Sequence, residues 1–209
     1  MQNKAHVFGP VPSRRLGRSL GVDMIPPKTC TYDCLYCQIG LTTEKTADRQ
    51  SWIAVDDIIA ELKGKLLTTK PDCITLSGSG EPTLYIHCGK LIAEIKKITD
   101  VPIAVITNGS LLYMPEVRKE LLAADMVLPS LDAGDAETFA KINRPVQEIT
   151  FDKMLQGLID FRNEYKGKYW LEVFLIAGLN DSDEQIGKII ECVGKINPDK
   201  VQLNTVSRP

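Results

Sequence analysis

Two hydrophobic patterns take turns along the chain. Short runs rich in β-branched and other apolar residues recur at 19–25, 73–77, 101–107, 126–131, 169–176 and 200–204, the length and composition of strands. Between them apolar residues fall at helical spacing. Val55, Ile58, Ile59, Leu62 and Leu66 make one such face, and 84–99, 115–123, 150–165 and 182–196 read as further helices. The last opens with Ser182 and carries Gln185 three residues on, a capping box, and it stops before Pro198. Strand and helix in regular alternation predict βαβ units around a parallel sheet. Six units at about 30 residues each fit the length. A closed eight-unit barrel typically needs about 250 residues, so the expected α/β fold is a partial (β/α)6 TIM-like barrel, with a doubly wound open sheet as the alternative. No helix follows the sixth strand before Pro209, which suggests a fragment of a longer chain. The reading is of a single domain over 1–209, with 1–21 as a basic N-terminal arm.

Side chains alternate across a strand, so each strand sorts its residues into two sets. Thr75, Ser77 and Ser79 oppose Ile74 and Leu76; Ser130 and Asp132 oppose Val127 and Leu131; Gln202 and Asn204 oppose Val201 and Leu203. The apolar sets are expected under helices and the polar sets inside the barrel, near the carboxyl ends of the strands where such sheets bind ligands. Solvent-facing polarity is the plainer reading.

Composition narrows the function classes. The 209 residues are 44% hydrophobic, enough for one core, and 25 Lys+Arg against 27 Asp+Glu give a net charge of −2. That balance argues against a whole-surface grip on nucleic acid. The N-terminus lacks a secretory pattern and no run approaches the roughly 20 apolar residues that span a bilayer, so a cytoplasmic protein is expected. In that compartment six cysteines point to metal or redox chemistry before disulfides.

Cys30, Cys34 and Cys37 form a CxxxCxxC motif in the loop after the first strand. Three thiolates on one short loop can bind three corners of a [4Fe–4S] cube and leave the fourth iron open for a chelating ligand. Zinc with His87 or Cys88 as fourth ligand, a redox pair of Cys34 and Cys37, and three structural cysteines are the competing readings. Both His87 and His6 are otherwise ordinary packed or surface residues. Cys73, Cys88 and Cys192 are too scattered to suggest a second cluster.

This spacing, the aromatic Tyr36 just before the third cysteine and the six-unit alternation resemble the radical S-adenosylmethionine (radical SAM) superfamily. The segment from Gly9 to Gly17 and the stretch from Val201 to Thr205 resemble its uncharacterised members related to wyosine-base (4-demethylwyosine) synthases. The resemblance implies an oxidoreductase- or lyase-like enzyme. In it the cluster, reduced by an external flavodoxin- or ferredoxin-type donor, cleaves SAM to a 5′-deoxyadenosyl radical that takes hydrogen from a substrate. It also implies SAM contacts. Gly78, Ser79, Gly80 and Glu81 match the glycine-rich segment that meets the SAM amino group, and Ser130 and Asp132 the ribose-contacting positions. Asn108 is expected to face the ligand, and Asn204 to touch adenine or substrate. Each of these residues also has a plain reading as a turn residue.

Hydrogen abstraction by a carbon radical needs no general base, so the lack of a triad is no objection. Arg14, Arg15 and Arg18, with Lys28, could dock phosphate or carboxylate groups of a substrate, with tRNA as one candidate that the family resemblance allows, or be merely solvated. A radical-activating enzyme for a partner protein and a non-catalytic Fe–S or zinc module are the alternative functions.

Overall fold

The computed structural model describes residues 5–205. Residues 1–4, and Ser207–Pro209 on which the fragment reading rests, lie outside it. Nine strands and six helices follow the expected alternation among the described residues. They are β1 (Val7–Ser13), β2 (Gly17–Val22), β3 (Thr29–Cys30), β4 (Glu44–Lys45), α1 (Val55–Thr68), β5 (Cys73–Leu76), α2 (Cys88–Ile98), β6 (Ile103–Thr107) and α3 (Pro115–Leu121). After these come β7 (Met126–Pro129), α4 (Ala136–Ile142), α5 (Phe151–Glu164), β8 (Lys168–Leu175), α6 (Asp183–Ile196) and β9 (Lys200–Thr205). The main sheet has the order β1-β2-β5-β6-β7-β8-β9. Its six expected strands, β2 to β9 in that order, are all parallel. Each unit adds its strand beside the previous one and the order never reverses, so the sheet curls into a half-barrel instead of forming a doubly wound sheet.

Part of the expected basic arm is instead β1, antiparallel to β2. The turn between them reaches toward the other edge of the sheet. There Arg15 pairs with Glu172 of β8 and donates from Nη1 to Gln202 of β9 at 3.2 Å. That contact brings the first and last strands within reach of each other, the closure a curled sheet requires.

The convex face packs as predicted over most of its width. Ile74, Leu76, Ile103, Val105, Val127, Leu171 and Val173 meet Ile58, Leu62, Leu91, Ile95, Val117, Leu158, Phe161 and Ile189 of the helices in one core. On β9 the expectation fails: Val201 and Leu203 are 38% and 68% exposed, with no described helix over them. The concave face is also less polar than predicted. Leu16, Cys73, Ala104, Met126 and Leu128, with Ile106 and Trp170, form a second apolar cluster at its amino-end floor. Polar side chains gather toward the carboxyl ends of the strands, with the Ser19–Thr75 hydroxyl pair and the Arg15–Glu172 pair lower down.

Two local features depart from the sequence pattern. The helix expected from 84 begins at Cys88, because Pro82–Leu84 forms a 3-10 turn capped by Glu81. Only half of the capping box forms. Ser182 accepts from the Gln185 backbone amide, but the Gln185 side chain turns to Thr138 and Asp135 near α4. The short α4 itself escaped the periodicity, since seven residues hold less than two full turns. Asp135 caps it by accepting from the Thr138 amide at 2.8 Å.

Candidate functional site

The cysteine motif lies on a loop pinched at its base. Thr43 and Glu44 amides donate to the Lys28 carbonyl and Thr46 to Cys30, pairing β3 with β4 across the loop. Inside it Thr42 donates to Asp33 and to the Tyr32 carbonyl, and the Cys37 amide donates to the Cys34 carbonyl at 3.1 Å. The loop docks on the end of α4. Leu35 donates to the Ile142 carbonyl at 2.9 Å and Asp33 to Asn143 at 3.0 Å, while Val146 donates back to Thr31 at 3.0 Å. All three cysteines are half-buried and none is disulfide-bonded.

Side-chain amides point at two of the sulfurs. Asn143 Nδ2 lies 3.4 Å from Cys34 Sγ, and Asn108 Nδ2 lies 3.5 Å from Cys30 Sγ. Burial pushes the Cys30 thiol up to about 12, helped by the charge of Glu81 and by Cys37. Burial raises Cys34 as well, with Asp132 and Cys30 adding to it. Each of these thiols therefore feels another cysteine of the motif. Such thiols stay protonated until a cation replaces the proton.

Glu81 is buried beneath Cys30. Its carboxylate accepts from the Thr83 amide (3.0 Å), the Thr83 and Thr107 hydroxyls (2.6 Å each) and the Asn108 amide (2.8 Å). Desolvation raises its pKa against these donors. The preceding turn is tight. A Cβ on Gly80 would fall 1.8 Å from the Thr29 carbonyl, and Gly78 has φ 154° beside Asp23, to which Ser79 donates at 2.5 Å. Asp132, also buried and raised by desolvation, binds Tyr36 (2.5 Å), Asn143 (2.9 Å) and the Phe174 amide (2.9 Å). Both of its oxygens are thus engaged by protein donors, so it orients Tyr36 and Asn143. The Tyr36 ring stacks on Phe174 at 4.0 Å. Among the described residues no Lys or Arg pairs with Glu81 or Asp132.

Of the residues singled out in the sequence, Cys30, Cys34, Tyr36, Glu81, Asn108 and Asp132 are joined by these contacts. Ser130 is bridged to Glu172, and Asn204 Nδ2 lies 3.5 Å from Glu172 on the neighbouring strand. Arg18 instead pairs with Asp72 at the surface. His87 packs edge-on against Tyr85 and lines a depression with Ser51 to Asp56, and Cys88 is buried in the core. Neither supports the zinc reading, and no three His, Cys, Asp or Glu among the described residues are arranged to hold a single ion. A cubane binds its ligands at separate corners and asks for a wider spread of sulfurs than one ion does. Sequence reasoning missed Asn143 and Asn180. Asn180 ties β8 to the Asp132 carbonyl at 2.7 Å, and no motif announces it. A depression of about 630 Å³ lies at the other end of the barrel, among Asp125, Lys168 and Asp199 at the amino ends of the strands.

The Radical SAM superfamily model matches residues 24–193, from just after β2 to within α6. The chain belongs to the radical SAM superfamily. It is similar to a Brachyspira hyodysenteriae protein named GTPase Obg, 57% identical over 97% of this chain and 30% of that protein. It is also similar to a UPF0026 protein of Methanocaldococcus jannaschii, 43% identical over 97% of this chain and 64% of that one. The chain thus spans less than two thirds of either relative. A tRNA 4-demethylwyosine synthase of Pyrococcus horikoshii is 25% identical over 77% of this chain and 53% of its own length. The solved structure of Streptococcus suis SuiB bound to S-adenosylmethionine superposes with a TM-score of 0.64 at 16% identity, over 90% of this chain and 39% of that one. This likeness confirms the radical SAM half-barrel fold. No helix among the described residues is long and apolar enough to cross a membrane.

Proposed function

We propose that this chain is the core of a radical SAM enzyme whose Cys30, Cys34 and Cys37 hold a [4Fe–4S] cluster by three corners. The observation that carries this reading is the pinched loop. It brings three free cysteines to the carboxyl-end mouth of the half-barrel, with amide N–H groups directed at two of the sulfurs. Bound there, the cluster would pass one electron from an external flavodoxin- or ferredoxin-type donor to SAM, whose C–S cleavage yields a 5′-deoxyadenosyl radical that abstracts hydrogen from the substrate.

The chain's own residues serve binding and orientation. Buried Glu81 has only neutral donors around it, which favours the ammonium of SAM beside Gly78, Ser79 and Gly80. Asn108, Ser130 and Asn204 belong to the concave face and would contact the remainder of the ligand. Asp132 would act by holding Tyr36 against Phe174, a ring pair that keeps water from one side of the cysteine loop.

A nucleic-acid base, in tRNA, is the substrate class that a specific observation favours. A cleft of about 380 Å³ at the seam between the β1–β2 turn and β9 is lined by Ser13, Arg14, Arg15, Lys200, Gln202 and Asn204. Arg14 and Lys200 there suit phosphates, and the similarity to the tRNA 4-demethylwyosine synthase agrees with this.

The test is anaerobic reconstitution with iron and sulfide, followed by SAM and dithionite. 5′-Deoxyadenosine should accumulate, and Cys34→Ala should abolish it. Turnover surviving in that variant would defeat the cluster assignment. Retention of tRNA at low salt, lost in Arg14→Ala/Lys200→Ala, would test the substrate class.

A further inference from the structure

Asn143 occupies a position that neither the motif nor the fold explains. It is 3% exposed and ends α4, its amide donating to the Phe139 carbonyl at 2.9 Å. Its side chain points away from α4, toward the cysteine loop and β7. Nδ2 serves two acceptors, Asp132 Oδ2 at 2.9 Å and Cys34 Sγ at 3.4 Å, while Oδ1 is buried with no partner among the described residues.

This orientation is dictated by chemistry. The Asp132 carboxylate only accepts, so the amide must turn its NH2 toward it, and a flipped amide would set Oδ1 against an anionic oxygen. One N–H then meets Asp132 and the other Cys34. A buried polar atom left without a partner normally costs stability. The arrangement keeps that cost and spends the donor on a sulfur.

Resting on the cluster assignment proposed above, we infer that Asn143 is a positioning residue that sets the reduction potential of the cluster through its N–H to Cys34. Reduction adds negative charge, part of which falls on the ligand sulfurs. A donor aimed at one of them favours the reduced state and raises the potential. Asn108 makes the matching contact to Cys30. Its side chain also donates from Nδ2 to the Thr31 hydroxyl at 2.8 Å and accepts from the Ser110 amide at 2.9 Å, so its replacement would disturb the turn after β6 as well. Asn143 has one further side-chain partner, Asp132, and a control tied to that same residue makes it the cleaner probe.

Asn180 supplies the control. It too is a buried asparagine tied to Asp132 and β8, through the Asp132 and Phe174 carbonyls at 2.7 and 2.8 Å, but its amide bonds no cysteine sulfur. The experiment is a redox titration, followed by EPR, of the anaerobically reconstituted chain as wild type, Asn143→Leu and Asn180→Leu. Asn143→Leu should move the reduction equilibrium about tenfold toward the oxidised cluster, about 59 mV lower for a one-electron couple. Asn180→Leu should leave it within about twofold while lowering thermal stability. An unmoved potential in Asn143→Leu, or equal shifts in both variants, would overturn the inference.

If Asn143→Leu does not fold, pulsed EPR decides. The reduced Asn108→Ser protein grown with 15N-asparagine should show a 15N coupling from Asn143, and its absence would overturn the inference equally. Failure of the wild-type chain to take up any cluster would instead defeat the functional proposal beneath it.

Discussion

Near the floor of the half-barrel Glu172 is paired with the Arg15 guanidinium, whereas at the mouth Glu81 and Asp132 are surrounded by hydroxyls, amides and a phenol. The first arrangement neutralises charge and pins the β1–β2 turn to the far strands. The second leaves two anionic groups at the mouth with their charge uncompensated. A buried carboxylate held only by neutral donors is expensive to keep for stability alone. Paired charge at one end therefore serves the scaffold, and the carboxyl groups without a cationic partner at the other are what the SAM ammonium of the proposed function would meet.

The strongest way to break that contrast is at Glu81. Glu81→Leu leaves Thr83 and Asn108 amides without their acceptor and should cost about 3–5 kcal/mol, read by urea unfolding of the apo chain. Glu81→Gln keeps the volume and removes the charge, so its main effect should fall on SAM binding to the reconstituted chain. Equilibrium dialysis should show an affinity at least tenfold weaker. Unchanged affinity would mean that the charge at the mouth serves the fold alone.

At the floor the effect should be smaller and of the opposite kind. Arg15→Met strands Glu172 and should cost about 2 kcal/mol by urea unfolding, because the pair is partly exposed. The double variant Arg15→Met/Glu172→Leu should recover most of that loss, since an apolar pair replaces an ionic one at little net cost. Arg15→Met alone should not alter SAM affinity. A double variant as unstable as the single one would show that the salt link itself closes the barrel.

Much of the scaffold was legible in the sequence because local rules govern it. Six strands and five helices announced themselves by period, and the cysteine spacing located the loop. The mouth was legible only in part. Glu81 and Asn108 stand beside glycines that mark strand ends, but Asn143 follows a seven-residue helix whose existence depends on docking against the loop it supports. Long-range partners such as Cys34 with Asn143, 109 positions apart, leave no local signature. The polarity of the concave face misled for a related reason. Alternation reports which residues share a face, and it says nothing of the Leu16 turn that plugs the lower half.

The smallest effect concerns the support beneath the mouth. Asp135 caps α4 through the Thr138 amide and also accepts from Lys188 and Gln185 of α6, so one carboxylate joins the helix that carries Asn143 to its neighbour. The Thr138 amide first, then Lys188, hold its carboxyl well below the usual range. A depressed pKa means stability that is present above the unfolded value, near pH 4, and is lost as pH falls through that value toward the folded one. Asp135→Ala should cost about 1 kcal/mol at pH 7, a melting temperature about 2–4 °C lower, and this difference should shrink as the pH drops below 4. Melting curves of both chains between pH 3 and 7 measure it. A gap that persists unchanged at pH 3 would assign the loss to packing between α4 and α6 and not to the charged cap.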